Sequence, residues 1–357
     1  MSDMRHIIML GTSPDANGGI ASVVSLYKQE GIFERQNIRY LSTHTNGGKT
    51  KKLTILLLAL LKFSIMLATK RIEAVHVHAA ADLSFWRKSI FVCIACLFAV
   101  PSIYHLHSGR FPAYYNRSST FRKNMMKYLL RKAKYIVVVS DALNEWAESL
   151  VKKSNVITIL NPVVIPDTVN DSEREKSTIL FLGRLGEAKG TFDLLNAMKI
   201  VTTSLPESRL ILCGDGMIDR TRSIIKSLEL EKNVQLPGWV DNNTRTNLLR
   251  KATIFVLPSY AEGLPMSVLE AMSSGLAVVA TTVGGIPELI TDSAQGILIR
   301  PGDVEALAAA IIRLIETPDE RSRLASAART KTATMFTREN TTGRLEKLYR
   351  DIRTSNS

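Results

Sequence analysis

Two stretches of this chain combine glycines with charged residues in a way that suits phosphate and sugar chemistry. The first reads Phe181-Leu182-Gly183-Arg184-Leu185-Gly186-Glu187-Ala188-Lys189-Gly190, directly after a strand-like run. Glycine at a strand end lets the backbone approach a ligand closely, and Arg184 with Lys189 can bring two positive charges to a diphosphate. Standing alone, the pair also reads as ordinary surface charge. The second stretch is Glu262-Gly263-Leu264-Pro265-Met266-Ser267-Val268-Leu269-Glu270. Gly263 and Pro265 open a helix expected over 266–274, whose free N–H groups and positive dipole end favour phosphate. Glu262 stands just before this helix and Glu270 about two turns along it, so the two carboxylates suit different parts of one extended ligand. Gly284-Gly285 supplies a further flexible loop at a strand end.

Such residues need strand ends to carry them, and short apolar stretches alternate with helical patterns along the whole chain. Strands are expected at 6–11, 74–79, 102–107, 134–140 and 156–160, then at 178–183, 209–213, 234–236, 253–257, 277–281 and 296–299. Strands alternating with helices argue for parallel sheets built from βαβ units. The alternation breaks once, between Asn161 and Lys176, where Pro162, Pro166 and a polar run starting at Asp171 read as a linker. The expected fold class is α/β: two Rossmann-like domains, residues 1–168 and 169–336, facing each other across a cleft. A terminal helix, 337–357, is expected to pack back on the first domain. In this architecture ligands bind at the carboxyl ends of the strands.

Composition narrows the class. At 357 residues, 45% hydrophobic and 22% charged, the chain is neither disordered nor fibrous. Forty-six Lys and Arg against 33 Asp and Glu leave a formal charge of +13, which points to nucleic acid, a phosphorylated ligand or a membrane surface. Up to residue 168 there are 22 basic and 10 acidic residues, and beyond it 24 and 23, so the surplus belongs to the N-terminal half. Lys123, Lys127, Arg131 and Lys134 recur at helical spacing opposite Met126, Leu129, Leu130 and Ala133. That helix is either a solvated surface element or one resting on anionic lipid. The apolar runs 53–68 and 90–100 are shorter than the roughly 20 residues of a membrane span. They are expected to be buried helices, with no transmembrane helix and no signal peptide. Three cysteines, Cys93, Cys96 and Cys213, cannot make a disulfide framework and suit a reducing, cytoplasmic setting; the first two read as buried structural residues. Gly47-Gly48-Lys49-Thr50 looks like the tail of a P-loop, but Thr43 stands where that motif needs glycine, and no strand is expected before it.

The run from Gly183-Arg184 and Lys189-Gly190 to EGLPMSVLEAMSSGLAVVATTVGGIPE resembles the donor-site half of the retaining glycosyltransferases of family four, which have the two-domain GT-B fold. The resemblance is strong over 178–316 and looser before it. It implies that Glu262, at the head of the family's E-x7-E pattern, lies near the donor sugar. Glu270 would then hold the nucleotide ribose, while Arg184 and Lys189 neutralise the diphosphate. Residues 169–336 become the donor domain and 1–168 the acceptor domain. Gly18 and Gly19 match the family's glycine loop. His107, on the same side of its strand as His105, matches the histidine near the donor sugar, although Ser108 follows it where Asp or Gly is usual; His76, His78 and His105 stay unassigned. Gly263, Leu264, Pro265, Met266 and Ser267 join the donor contacts, and Gly214, Gly216, Trp239 and Val240 mark the nucleobase region.

The implied activity is transfer of a hexose, with retention, from a UDP- or GDP-linked donor to a lipid-linked saccharide in surface polysaccharide synthesis. The enzyme would sit peripherally on the inner face of the cell membrane through its basic half. No cofactor or divalent metal is expected: two cations and a helix N-terminus hold the leaving charge, and no Asp-x-Asp occurs in the chain. The alternative on the same architecture is a nucleotide-sugar epimerase or hydrolase. A nucleic-acid binder is disfavoured, because only Phe121, Tyr128 and Tyr135 interleave the basic residues.

Overall fold

The computed structural model describes residues 5–69, 72–166 and 173–355. It divides into two compact units, Met1–Pro162 with Phe336–Ser357, and Val163–Met335. Residues 167–172, which hold the expected 168/169 boundary and part of the expected linker, lie outside the described residues.

The first unit contains β1 (His6–Thr12), β2 (Ile38–His44), β3 (Ile72–Ala79), β4 (Ser102–Leu106), β5 (Tyr135–Val138) and β6 (Val156–Thr158). They form one parallel sheet in the order β2-β1-β3-β4-β5-β6. The second unit contains β7 (Thr178–Leu182), β8 (Arg209–Cys213), β9 (Val234–Gly238), β10 (Ile254–Leu257), β11 (Ala277–Thr281) and β12 (Ile297–Ile299). Its parallel order is β12-β11-β10-β7-β8-β9. Both units are Rossmann-like. In each sheet the strand order reverses once, between β1 and β3 and between β7 and β10, and ligands of open α/β sheets bind outside the carboxyl ends at such a point. Central strands such as Thr178-Ile-Leu-Phe-Leu182 and Ala277-Val-Val-Ala-Thr281 are buried throughout, as strands covered by helices on both faces must be.

Three sequence expectations need correction. The edge strand β2 was not expected; it alternates imperfectly, with Ile38 and Thr43 buried and Arg39 exposed. It ends just before Gly47, so a strand does precede the P-loop-like residues, and Thr43 alone defeats that reading. The run 53–68 is not a buried helix. It belongs to a 21-residue helix, Lys49–Thr69, that buries only Ala59, Phe63, Met66 and Leu67. The sheet covers one stripe of a helix that is apolar all round, and Leu53, Leu57, Leu58, Leu61 and Ile65 remain 49–59% exposed. By length and composition this helix could cross a membrane. The neighbouring helix Leu83–Leu97 likewise exposes Ile90 and Leu97, and Cys93 and Cys96 lie on the exposed side rather than in the core. The basic helix, Thr120–Lys132, buries Met126, Leu129 and Leu130.

The chain ends in a helix, Arg344–Ser355, that belongs to the first unit. Leu345, Leu348, Tyr349 and Ile352 form one buried stripe at steps of three and four. Tyr349 hydroxyl meets His76 Nδ1 at 2.5 Å, Arg353 Nε donates to Glu73 at 2.8 Å, and Arg353 Nη1 donates to Gln36 Oε1 at 2.8 Å. Glu73 is buried and lies against an arginine that is itself mostly covered. Arg353→Met should strand that carboxylate and cost about 3 kcal/mol of unfolding free energy; urea denaturation at pH 7.5 measures it, and an unchanged midpoint would show the contact to be idle.

Candidate functional site

In the second unit the expected residues gather at the carboxyl ends of β7 and β10, on either side of the strand-order reversal. After β7 the chain passes Gly183 and Arg184, makes one 3-10 turn, Glu187–Lys189, and enters the helix Thr191–Ser204 through Gly190. Gly190 is left-handed (φ 64°), and a Cβ there would collide with the Pro258 carbonyl. This close approach lays the Lys189 loop on the segment that follows β10. Tyr260 N–H donates to the Ala188 carbonyl at 3.0 Å, and Lys189 Nζ reaches Glu262 Oε1 at 2.5 Å. Ser259 hydroxyl donates to the same carboxylate oxygen at 2.6 Å. Glu262 is buried, so its negative charge is held by one ammonium and one hydroxyl. Gly284, also left-handed, packs against the Glu262 backbone carbonyl, and Gly285 N–H donates to the Gly263 carbonyl at 2.7 Å. The loop after β11 therefore packs on the backbone that carries this carboxylate.

The helix expected over 266–274 runs Met266–Ser273, with Pro265 in extended conformation at its N-cap. The side chains of Leu264 and Met266 are buried in the core, so these two residues offer a ligand only backbone. Glu270 pairs with Arg245 Nη1 at 3.2 Å. Burial pushes its carboxyl above the ordinary value, and Arg245 pulls the other way. Arg245, from the helix Asn242–Lys251, is a site residue that sequence reasoning missed, because no local pattern ties it to a glutamate 25 positions on. Arg184 is exposed. The proposed nucleobase region forms where the ends of β7, β8 and β9 are laced together: Gly183 N–H to Cys213 O at 3.0 Å, Gly214 N–H to Gly238 O at 2.8 Å, and Leu185 N–H to Asp215 O at 2.6 Å. Gly216 bridges Leu185 in the same cluster, and Trp239, followed by Val240, stands half-exposed just beyond.

In the first unit Gly18 caps the helix Gly19–Gln29 in a left-handed conformation (φ 125°). His107 leaves β4 with its N–H bonded to the Ala79 carbonyl at 2.9 Å, and it shares a hydrogen bond of 2.8 Å with His78 Nδ1. The parallel register sets His78 opposite His105, which stacks His76, His78, His105 and His107 with neighbouring ring centroids 4.1–5.3 Å apart. Ring nitrogens of His76, His78 and His105 lie within 4.8 Å of one another. A dication there would be fully buried among neutral ligands, with no carboxylate in the group to offset its charge. Burial lowers His107 to about 3 against the opposing effect of a hydrogen bond with Asn161, and it lowers His76 to about 3. His107 is thus a neutral imidazole at pH 7, held by His78 and Asn161 and carrying no charge.

Residues 167–331 match the sequence model of the family described as "Glycosyl transferases group 1", and residues 7–165 that of "Glycosyltransferase Family 4". The chain is 33% identical over 175 residues, 47% of its length and 43% of the relative's, to an amylovoran biosynthesis glycosyltransferase of Erwinia amylovora. It is 30% identical over 148 residues, 40% of its length and 38% of the relative's, to the UDP-Gal:alpha-D-GlcNAc-diphosphoundecaprenol alpha-1,3-galactosyltransferase of Escherichia coli. The chain spans about half the length of the curated relatives it matches. Its fold is that of sucrose-phosphate synthase from Thermosynechococcus elongatus, with a TM-score of 0.82 over 98% of this chain and all of the other, at 18% identity.

The stacked histidines make the stability of the first unit pH-dependent. Each has a folded pKa below its unfolded value of about 6.5, so the unfolded chain takes up protons first as pH falls, and stability declines from pH 7 downward. His76, with no exposed surface, accounts for roughly 2 kcal/mol between pH 7.5 and 5. Urea unfolding at the two pH values should show the loss and His76→Gln should reduce it; a flat profile would contradict the buried, neutral stack.

Proposed function

Because the chain belongs to the group 1, family-four glycosyltransferases, we propose that it moves a hexose from a UDP- or GDP-linked donor to a lipid-linked saccharide, with retained anomeric configuration. The observation that carries this reading is the Lys189–Glu262–Ser259 cluster, fixed by close backbone packing at the carboxyl ends of β7 and β10. As the bond between the anomeric carbon and the diphosphate breaks, negative charge develops on the leaving phosphate. Arg184 and Lys189 stabilise it, together with the N-terminus of the Met266–Ser273 helix. The acceptor oxygen bonds to the same face of the sugar, and the departing phosphate oxygen takes the acceptor's proton. Lys189 then serves two anions, the diphosphate and Glu262, which couples the position of the sugar-facing carboxylate to the presence of the donor. Glu262 orients the sugar and stabilises positive charge on it, and Glu270 accepts from the ribose. These cations serve in place of a divalent metal.

The acceptor and the setting rest on the first unit. Its basic surplus and the exposed leucines of the Lys49–Thr69 helix favour peripheral attachment to anionic membrane on the cytoplasmic side. The names of the Erwinia and Escherichia relatives support an acceptor carried on lipid and a role in making surface polysaccharide, whether exopolysaccharide, capsule or O-antigen.

A thermal-shift screen of nucleotide sugars should find the donor, and transfer to a lipid-linked saccharide should then proceed at an unchanged rate in EDTA. Arg184→Ala and Glu270→Ala should each lower kcat/KM roughly 10²-fold without unfolding the protein. Wild-type kinetics in both would overturn the site, a covalent glycosyl adduct on Glu262 the mechanism, and sugar release with no acceptor would favour the hydrolase. In flotation, anionic vesicles should recover more protein than neutral ones, and Leu57→Asp with Leu61→Asp should abolish the difference; equal recovery would remove the electrostatic part.

A further inference from the structure

The first unit holds a second concentration of positive charge that this chemistry leaves unused. Lys88, on the helix that follows β3, is fully buried; its Nζ donates to Thr43 Oγ1, and that hydroxyl donates to the Gly11 carbonyl at 2.9 Å. Thr43 and Gly11 are the next-to-last residues of β2 and β1, so Lys88 Nζ lies at the carboxyl ends of these two neighbouring strands, beside the point where the sheet order reverses between β1 and β3. Arg87, half-buried beside it, turns Nε into the interior with no acceptor. His44, the last residue of β2, is lowered to about 4 by burial first and then by the positive charges of Arg87, Lys52 and Lys88. Burial also lowers Arg87 and Lys88. Among the described residues no carboxylate pairs with any of the four. The acid ahead of the same helix, Asp82, is engaged instead by Arg110 at 3.5 Å and Arg117 at 3.2 Å.

Buried cations without a counter-charge are costly, and a bound anion removes that cost. Arg87, Lys52 and His44 are half-buried and therefore reachable, with the buried Lys88 amine close by, where a bound anion would favour its protonated form. The donor diphosphate already has Arg184 and Lys189 in the other unit. We infer that Arg87, Lys52 and His44, backed by Lys88, hold the phosphate group through which the acceptor saccharide is joined to its carrier. The inference rests on the transferase reading and adds the acceptor's class: a phosphate- or diphosphate-linked saccharide. Arg87, Lys52 and His44 contact the phosphate oxygens; Lys88 is a positioning residue that raises the potential beneath them.

The test uses the full chain and inorganic pyrophosphate, titrated calorimetrically with the donor's nucleoside diphosphate present at saturation to fill the second unit. One pyrophosphate site should remain. Arg87→Met and Lys52→Met should each weaken it about tenfold or more, and Arg184→Ala should leave it unchanged. Lys88→Met, which removes no direct contact, should weaken pyrophosphate binding by a smaller factor than Arg87→Met does. Absence of the site under saturating nucleotide, indifference to the three variants, or loss in Arg184→Ala each overturns the proposal. A second arm identifies the source of the phosphate, using the same saccharide on a short prenyl diphosphate and on an uncharged alkyl chain. Arg87→Met should raise KM about tenfold for the first alone. Equal effects on both, or none on either, would defeat the acceptor-phosphate inference while transfer itself persists; failure of the wild type to use any nucleotide sugar would defeat the transferase reading instead.

Discussion

At Gly190 the backbone passes the Pro258 carbonyl with no room for a methyl group, and the geometry of the second unit follows from that approach. It carries Lys189 onto Glu262, which in turn sits under the left-handed Gly284. A buried carboxylate needs nearby positive charge or hydrogen-bond donors; here the ammonium comes from a loop that only glycine can bring so near, and the hydroxyl from Ser259, three residues before Glu262. Beyond residue 168 the 24 cations are matched by 23 acids, which gives the near-neutral sum. The first half has a similar number of cations, 22, but only 10 acids, and Lys88 is buried with no carboxylate paired to it among the described residues. One half of the chain thus balances its charge internally, while the other keeps positive potential available for something that binds.

Much of this was legible in the sequence, for definable reasons. Glu262, Glu270, Arg184 and Lys189 stand in short local patterns beside glycines and a helix start, and local patterns survive into structure. The strand candidates other than β2 were found within a few residues, because runs buried on both faces are apolar throughout. Strand β2 escaped because an edge strand is wetted on one side and its alternation is diluted by Arg39. Arg245 and the histidine stack escaped for a different reason. Alternation placed His105 and His107 on one face of their strand, but only the β3–β4 register sets His78 against His105, and register is a property of two segments that neither encodes alone.

The apolar helix Lys49–Thr69 marks where composition misleads. A run of leucines lowers the free energy of whatever covers it, and sequence does not say whether that cover is protein or something else. The sheet takes one stripe, leaving Leu57 and Leu61 more than half exposed. Cys93 and Cys96 followed the same logic: an apolar neighbourhood in sequence placed them in the core, whereas the helix turns them outward.

The helix Arg344–Ser355 packs on strands made more than 250 residues earlier, through contacts such as Arg353 with Glu73. The second unit is one uninterrupted segment, Val163–Met335, whereas the first is assembled from both ends of the chain. During synthesis, therefore, the later-made unit has all of its residues in hand before the earlier one does, and the usual N-terminal-first order of domain completion is reversed. Until its last turns emerge, the first unit must wait with His76 lacking Tyr349 and Glu73 lacking Arg353, a stage at which a chaperone has access to the surface that the Arg344–Ser355 helix later covers.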